Sequence, residues 1–554
     1  MVEETEMPTI DVSYRDLCSL VGKKIPINEL EDVILYAKGE IEERNGDELK
    51  IDVKDTNRPD LWSTEGVARE IKSRYKSYFP DYKTKRSNVV VHVDGKLKNI
   101  RPCTACAVVR NLNMTDEVLA QMIQLQEKVA GTFGRNRKEI AIGVYDLHKI
   151  TPPIKFTGTT PKGLKFVPLE FEKELTPQEI LDKHPKGKEF GYLLEGNPLY
   201  PVFKDSAGEV LSMPPIINSN HTGKVTKSTK DIFIECSGFD LDLLQTALNV
   251  IVAALADRGG HIETVDVMYG GKRITTPNLT PKRFKVDPNY INKISGLKLN
   301  GSEIEKWLNR SGYKVLSKKI DVAYPAYRQD IMHQIDVVED LIISYGYNKI
   351  QPEESILPTR GSVSKIETFS NNVIDILTGA GLQEIMSYML SNKDNLFTKM
   401  NAKPIPLAEI ENPMSSNWSV FRNTLIPSAM EFLSQNMHRE FPQKIFEIGD
   451  VVEINTRKET RTHDLRKVVV ALSDPSFGYQ TASEILDFLL SSLGVTYKLV
   501  RTKHSSLIEG RTANIMSKNK KIGIIGEIHP QVLNNWKLEL PVVIFELNLE
   551  EIIS

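Results

Sequence analysis

The chain has 554 residues, of which 40% are hydrophobic and 26% charged, and its formal net charge is −2 at pH 7. This composition is typical of a soluble protein with three or four domains, and it argues against nucleic-acid binding over a polycationic surface. Because no run of about eighteen apolar residues occurs and the acidic N-terminus lacks signal-peptide features, we expect a cytoplasmic protein without membrane spans.

Residues 1–85 are predicted to form a small α/β domain. A strand in MPTIDVSYRDL leads into a helix, residues 27–37 have helical periodicity, and an Asn-Gly-Asp turn precedes the strand LKIDV. The phrase NRPDLWSTEGVAREI then places Pro59 just before a long helix. Arg58 and Asp60 could contact a partner, although local hydrogen bonds at the helix start are the simpler role.

Residues 86–268 are predicted to form a second domain that mixes strands with a helix over 115–130. Cys103 and Cys106 form a CxxC pair, but no second pair of ligands follows, so we interpret it as part of a buried strand. The basic loop GTFGRNRKEI could approach an RNA backbone or could simply be solvated. The sequence leaves both roles of the loop open.

Within this domain the run VLSMPPIIN precedes a polar loop, a buried strand in DIFIECSG and an apolar helix. Strand ends and turns are expected to place Ser212, Asn218, Glu235 and Ser237 around one cavity. A serine-protease-like triad is not predicted, because His221 has no nucleophile beside it in sequence.

Residues 272–350 contain a strand, a helix after Pro288 and a second helix that we predict to begin with Ser302 as its cap and Glu305 three residues later. The second strand, DVAYPAYRQDI, leads into an acidic helix. Two helices and a short sheet favour a winged or swapped-helix domain. Duplex DNA recognition is not expected, because a basic recognition face is missing.

Four carboxylates fall close together in the run YRQDIMHQIDVVEDLIISYGYNKI, and they are Asp330, Asp336, Glu339 and Asp340. The last three recur at i, i+3 and i+4 and therefore share one helix face, which we expect to point outward. The apolar residues expected to pack inward are Ile335, Val338, Ile342 and Tyr345. An outward row of carboxylates suits Mg²⁺ or a basic partner, while a solvated acidic face is the simpler alternative.

Residues 360–554 follow a Pro- and Gly-containing linker and are predicted to form a mixed, mainly antiparallel sheet with helices on it. The sheet is indicated by KVVVALS, IGIIGEI and PVVIFELNL. Neither a P-loop nor a class I synthetase signature occurs. Arg422, Glu447 and Asp450 are candidates for contacts that support the fold or an interface.

These motifs occur in the same order as in the phenylalanyl-tRNA synthetase beta subunits of archaea and eukaryotes, which the chain resembles over nearly its full length. The resemblance implies an α+β / α/β multidomain fold. Its domains would be a B1-like domain (1–85), a B3/B4 tRNA-editing domain (86–268), a B5 winged or swapped-helix domain (272–350) and a non-catalytic B6/B7 class II synthetase core-like domain (360–554).

The resemblance also implies site residues. Mg²⁺ would be bound at a site shared with an alpha subunit by Asp330, Asp336, Glu339 and Asp340. An editing pocket that hydrolyses mischarged Tyr-tRNA(Phe) with a held water would contain Phe203, Ser212, Asn218, Glu235 and Ser237. The implied partners are the alpha subunit in an α2β2 heterotetramer, tRNA(Phe), and ATP and phenylalanine bound through the complex.

The last domain departs from the sequence pattern of active class II synthetase cores. VFRNTL matches the arginine strand of motif 2, but Asn423 stands where an active core usually has an acidic residue, and the motif 3 pattern is missing. Amino-acid activation is therefore expected on the alpha subunit. The alternatives are a stand-alone aminoacyl-tRNA deacylase and a non-catalytic structural scaffold.

Overall fold

The structure is a computed structural model that describes residues 9–317 and 321–553. The chain divides into two compact units, Met1–Glu353 and Glu354–Ser554. None of the described helices has both the length and the apolar character needed to cross a membrane.

The first domain of unit 1 is a three-stranded antiparallel sheet with three helices. Its strand order is β1-β3-β2. Long helix α3 begins after Ser63, whose hydroxyl accepts a hydrogen bond from the backbone of Gly66. The elements are β1 (Thr9–Ser13), α1 (Tyr14–Val21), α2 (Ile27–Leu35), β2 (Gly39–Asn45), β3 (Glu48–Val53) and α3 (Thr64–Lys76).

The second domain is built on a ten-stranded sheet, in which nine strands follow the order β10-β9-β8-β7-β4-β12-β5-β11-β6 and β13 pairs with β12. Its elements are β4 (Thr84–Val93), β5 (Cys103–Arg110), α4 (Asp116–Lys128), β6 (Ile140–Asp146), β7 (Ile154–Thr159), α5 (Pro177–Lys183), α6 (Pro185–Phe190), β8 (Tyr200–Lys204), β9 (Val210–Met213), β10 (Ile217–Asn218), β11 (Ile232–Gly238), α7 (Leu241–Asp257), β12 (His261–Tyr269) and β13 (Lys272–Thr276). Every residue of β11 is buried, as expected for a strand with a neighbour on each side and cores on both faces.

The third domain places three helices against a three-stranded antiparallel sheet of order β14-β16-β15. The elements are β14 (Lys282–Lys285), α8 (Pro288–Ser295), α9 (Gly301–Arg310), β15 (Lys314–Val315), β16 (Asp321–Tyr324) and α10 (Gln334–Tyr345). The predicted cap of α9 is wrong by two residues. Asn300 is the cap, because its side chain accepts the backbone N–H groups of Ser302 and Glu303 while Glu303 accepts that of Asn300.

Buried ion pairs connect the first two domains of unit 1. Arg258, which follows α7, donates to Asp16 at 2.6 and 2.7 Å and to Glu65 at 2.6 Å in the first domain. Arg69 of α3 pairs with Asp257 at 2.6 Å. Since each partner is largely buried, loss of one member would leave the other charged and unsolvated.

Unit 2 is a seven-stranded sheet of order β17-β20-β21-β25-β24-β23-β22, with a separate β18-β19 pair. Only β17 and β20 pair in parallel, so the predicted mixed, mainly antiparallel sheet is confirmed. The elements are α11 (Lys365–Gly379), β17 (Gln383–Glu384), β18 (Leu390–Ser391), β19 (Val420–Phe421), α12 (Ile426–Gln435), β20 (Gln443–Ile454), β21 (Thr462–Ser473), α13 (Tyr479–Ser492), β22 (Lys498–Arg501), β23 (Leu507–Ser517), β24 (Lys520–Ile528), α14 (Pro530–Asn535), β25 (Val542–Asn548) and α15 (Leu549–Ile553).

Candidate functional site

A cavity of about 410 Å³ lies in the second domain between α4, β6, β11 and the segment Pro214–Asn218. Apolar side chains such as Met122 and Ile142 form much of its wall, and Glu235 contributes a buried carboxyl group. A concave site in which apolar side chains are combined with several polar and charged ones is the usual form of a small-molecule site.

Glu235 lies in the middle of β11, the strand next to the sheet edge, where it is opposite Cys106 of β5 and Gly143 of β6. Its side chain is 1% exposed, and its Oε2 atom has no hydrogen-bond partner among the described residues. Burial raises the pKa of Glu235 to about 8, although the nearby Arg101 guanidinium opposes the rise. At neutral pH this carboxyl group is therefore largely protonated.

Two of the five predicted pocket residues, Asn218 and Glu235, line the cavity. Ser212 lies behind Glu235, where its Oγ is 2.7 Å from the hydroxyl of Tyr145. Tyr145 was not singled out from the sequence. The only signal was a hydroxyl-bearing residue within the apolar strand AIGVYDL.

The other two predicted residues do not line the cavity. Phe203 is fully buried and stacks on Phe156 with ring centroids 4.2 Å apart. Ser237 is also fully buried, and its Oγ accepts a hydrogen bond of 3.1 Å from Arg101. Both side chains are held by packing or hydrogen bonds within the domain.

Arg137 is the residue of the predicted basic loop that reaches the cavity wall. Its guanidinium group donates to the backbone oxygens of Pro215, at 3.3 Å, and Ile216, at 2.9 Å. It also lies 4.3 Å from the centroid of the Phe190 ring. Arg137 thereby fixes the segment that closes one side of the cavity, whereas Arg135 is exposed to solvent.

The acidic helix α10 has a different arrangement from the one predicted. Asp340 is 6% exposed. Its carboxylate accepts a hydrogen bond of 2.6 Å from the Tyr313 hydroxyl and forms an ion pair of 2.8 Å with Arg328. The outward orientation predicted for Asp340 is therefore wrong, because these partners bury it. The inward packing predicted for Ile335 is also wrong, since 38% of that residue is exposed.

Asp330 also pairs with Arg328, whose Nε lies 3.0 Å from its Oδ1. Burial alone would raise the pKa of Asp330, but the Arg328 and Arg58 guanidinium groups outweigh it and hold the pKa below its ordinary value. Asp336 instead caps α10, where its Oδ2 accepts the backbone N–H groups of Met332 at 2.8 Å and His333 at 2.7 Å.

Glu339 is the most open of the four carboxylates, since about half of its side chain (52%) is exposed. The Nζ of Lys38 lies 3.6 Å from it. Across residues 9–317 and 321–553, no group of three or more His, Cys, Asp or Glu side chains is arranged to hold a metal ion. The four carboxylates do not fit a single ligand set within this chain, because Arg328 neutralises Asp330 and Asp340.

In unit 2, Arg422 is 3% exposed and bound within its own domain. Its Nη1 lies 2.8 Å from Glu447 Oε1 and 2.7 Å from Ser387 Oγ, and its Nε donates to the backbone oxygen of Asp450 at 3.0 Å. These contacts hold the guanidinium group within its own domain. Of the two roles predicted for Arg422, the structure supports the fold contact.

Comparisons with known proteins agree on one family. The family models that match describe the "Phenylalanyl tRNA synthetase beta chain CLM domain" at residues 353–549, the "tRNA synthetase B5 domain" at 284–347 and the "B3/4 domain" at 112–251. A phenylalanine–tRNA ligase beta subunit from Pyrococcus abyssi is 51% identical over 98% of this chain and 99% of the relative. The corresponding subunit from Pyrococcus furiosus is 50% identical over 98% and 99%.

Among solved structures, the crystal structure of an N-terminal fragment of the phenylalanyl-tRNA synthetase beta subunit from Pyrococcus horikoshii is similar. Its TM-score is 0.60 at 50% identity, and the match covers 61% of this chain and all of the fragment.

Proposed function

Because the chain belongs to the family of phenylalanine–tRNA ligase beta subunits, and is thus part of an aminoacyl-tRNA synthetase, we propose a division of labour within the enzyme. An alpha subunit carries out ATP-dependent attachment of phenylalanine to tRNA(Phe). This chain supports that reaction and hydrolyses mischarged Tyr-tRNA(Phe) in its second domain. The observation that carries the hydrolytic role is the cavity with the buried carboxyl group of Glu235 in its wall.

In the proposed hydrolysis, a water oxygen attacks the carbonyl carbon of the tyrosyl ester, and the ribose oxygen leaves with a proton. Among the described residues that line the cavity there is no serine, threonine or cysteine, so the chain offers no hydroxyl or thiol nucleophile there. Both ring nitrogens of His184, which also lines the cavity, contact backbone groups, Nδ1 accepting from Lys186 at 3.1 Å and Nε2 lying 3.1 Å from Leu169 O. The cavity would act by holding the ester and water in place.

The first test concerns amino-acid activation. The chain alone is expected to show no phenylalanine-dependent exchange of pyrophosphate into ATP, because Asn423 replaces the usual acidic residue of motif 2 and the motif 3 pattern is missing. Mixing it with the alpha subunit of the same organism is expected to restore tRNA charging. The measurement is ATP–pyrophosphate exchange with each subunit and with the mixture. Exchange by this chain alone would contradict the proposed division of labour.

The same proteins separate the two alternatives. A stand-alone deacylase would hydrolyse Tyr-tRNA(Phe) at the full rate without the alpha subunit. A structural scaffold would leave Tyr-tRNA(Phe) intact in the mixture as well. The expected result is hydrolysis by the assembled enzyme.

We also propose a magnesium site that uses only two of the four carboxylates. Asp336 and Glu339 lie three positions apart on α10, and one or two carboxylates are what Mg²⁺ usually takes from one surface. The remaining ligands would come from the alpha subunit and from water. The proposed assembly is the α2β2 heterotetramer, acting on tRNA(Phe) in the cytoplasm.

Reversing the charge of Glu339 tests this interface. Glu339→Lys is expected to weaken assembly with the alpha subunit about tenfold and to reduce its dependence on Mg²⁺, because the exposed carboxylate is replaced by a cation. The measurement is the dissociation constant of the complex with and without Mg²⁺. Glu305→Lys, at an exposed position of α9, is the matched control. Equal affinities for wild type and Glu339→Lys would remove Glu339 from the interface.

A further inference from the structure

Three polar side chains form a buried chain behind the cavity, and each comes from a different strand: Tyr145 from β6, Ser212 from β9 and Glu235 from β11. The Tyr145 hydroxyl lies 2.7 Å from Ser212 Oγ and 3.2 Å from Glu235 Oε1. All three residues are at most 2% exposed. Hydrogen bonds among them are therefore shielded from competition with water.

Gly143 leaves the space that this contact needs. It is paired with Glu235 across the sheet, and a Cβ atom placed on it would lie 2.1 Å from the Tyr145 hydroxyl oxygen and 2.7 Å from Glu235 Oε1. Any other residue would force the hydroxyl and the carboxyl group apart. The local backbone is thus compatible with the Tyr145–Glu235 contact only because position 143 has no side chain.

The order of donors follows from counting protons. A tyrosine hydroxyl has one proton, so Tyr145 can donate either to Ser212 or to Glu235. A protonated Glu235 can donate from Oε1 to the Tyr145 oxygen, and Tyr145 then donates to Ser212 at the shorter of its two contacts. This order leaves Oε2 of Glu235, which makes no hydrogen bond to a described residue, free to accept one, and Glu235 is among the residues that line the cavity.

We propose that Tyr145 is a positioning residue that holds Oε1 of Glu235 and thereby directs Oε2 toward a hydrogen-bond donor of the bound aminoacyl group. This inference rests on the proposed hydrolysis of Tyr-tRNA(Phe) and specifies how its pocket is organised. The donor is either the side-chain hydroxyl or the ammonium group of the aminoacyl ester. Both are small N–H or O–H donors of the kind that an unpartnered buried oxygen requires.

Tyr145→Phe tests the proposal, because it removes the hydroxyl and keeps the ring beside Phe233, whose centroid is 5.9 Å away. In the assembled enzyme, kcat/KM for Tyr-tRNA(Phe) hydrolysis is expected to fall about tenfold, as for the loss of one buried hydrogen bond. Charging with phenylalanine serves as the check on assembly. Tyr200→Phe is the matched control, because the Tyr200 hydroxyl contacts Gln178 and does not line the cavity.

The pH profile separates positioning from simple packing. When Glu235 ionises, the Tyr145 hydroxyl can turn from Ser212 and donate to the carboxylate, which lowers the pKa of Glu235, so Tyr145→Phe is expected to move the inflection in kcat/KM from about 8 to higher pH. Glu235→Gln, which cannot titrate, is expected to lose this inflection. The ammonium group of the substrate also titrates, but its contribution to the pH profile is the same in every variant and can be subtracted.

A phenylalanyl ester identifies the donor. If Oε2 accepts from the side-chain hydroxyl, Tyr145→Phe lowers the preference for Tyr-tRNA(Phe) over Phe-tRNA(Phe). If it accepts from the ammonium group, hydrolysis of both esters falls equally. Ser212→Ala removes the acceptor of Tyr145 and is expected to act in the same direction, which provides a second variant should Tyr145→Phe fold poorly.

One result would contradict the positioning role of Tyr145, and another would contradict the proposed hydrolysis. An unchanged rate and pH profile in Tyr145→Phe, with wild type hydrolysing Tyr-tRNA(Phe), would exclude the positioning role alone. Absence of hydrolysis by the assembled wild-type enzyme would remove the proposed function and, with it, this inference.

Discussion

Glu235→Ala is expected to lower Tyr-tRNA(Phe) hydrolysis by the assembled enzyme about 100-fold while phenylalanine charging continues at the wild-type rate. The substitution removes the only described buried carboxyl group in the cavity wall and leaves the Tyr145 hydroxyl without its Oε1 contact. Charging is unaffected because the activation site is expected on the alpha subunit. The measurement is the hydrolysis of Tyr-tRNA(Phe) and the charging rate in the same preparation.

Glu195→Ala is the appropriate control for this experiment. It is an exposed glutamate in the second domain and does not line the cavity. Full hydrolysis in Glu235→Ala would show that the carboxyl group has no part in the reaction. Simultaneous loss of charging would indicate misassembly, which amide hydrogen exchange of β11 would detect.

Arg328→Met is expected to destabilise unit 1 by about 3–5 kcal/mol, the usual cost of removing one member of a buried ion pair. The variant leaves Asp330 and Asp340 buried without the guanidinium group that contacts both. Helix α10 is then expected to exchange its amide hydrogens faster than in wild type. Hydrogen exchange by mass spectrometry measures this locally, without assuming that the two units unfold together.

The destabilisation caused by Arg328→Met is expected to decrease at low pH. Because the folded pKa of Asp330 is lowered from 3.8, its contribution to stability is present above about pH 4 and disappears as the pH falls. The difference between Arg328→Met and wild type should therefore shrink in acid. Arg273→Met is the control, since this arginine is about half exposed and Asp266 keeps Arg86 as a partner. A difference of less than about 1 kcal/mol, as for a surface pair, would show that Arg328 is not essential.

Local patterns predicted the elements that carry the sites, but not their surroundings. Helical periodicity located α10, and the apolar run DIFIECSG located β11. The burial of Asp340 depends on Arg328, Tyr313 and the position of Lys38, which is 302 positions earlier in the chain. Spacing within one helix contains no information about such partners.

For the pocket too, the sequence indicated one residue of the site but not the residues that contact it. Glu235 was identified from a strand motif, whereas Tyr145 lies 90 positions away and meets it only because β6 pairs with β11. Phe203 and Ser237 come from the motifs YPVF and FIECSG, but their side chains lie in packed regions. Ser237 is two positions from Glu235 and therefore on the same face of β11, so the strand period does not distinguish a residue that lines the cavity from one that is bonded to Arg101.

The ion pairs of Arg258 and Asp257 have a consequence for any attempt to produce the second domain by itself. A fragment that starts near residue 86 would retain both charges and lose Asp16, Glu65 and Arg69. Such a fragment should be prone to aggregation or require compensating substitutions, whereas one that starts before β1 keeps every one of these counterions.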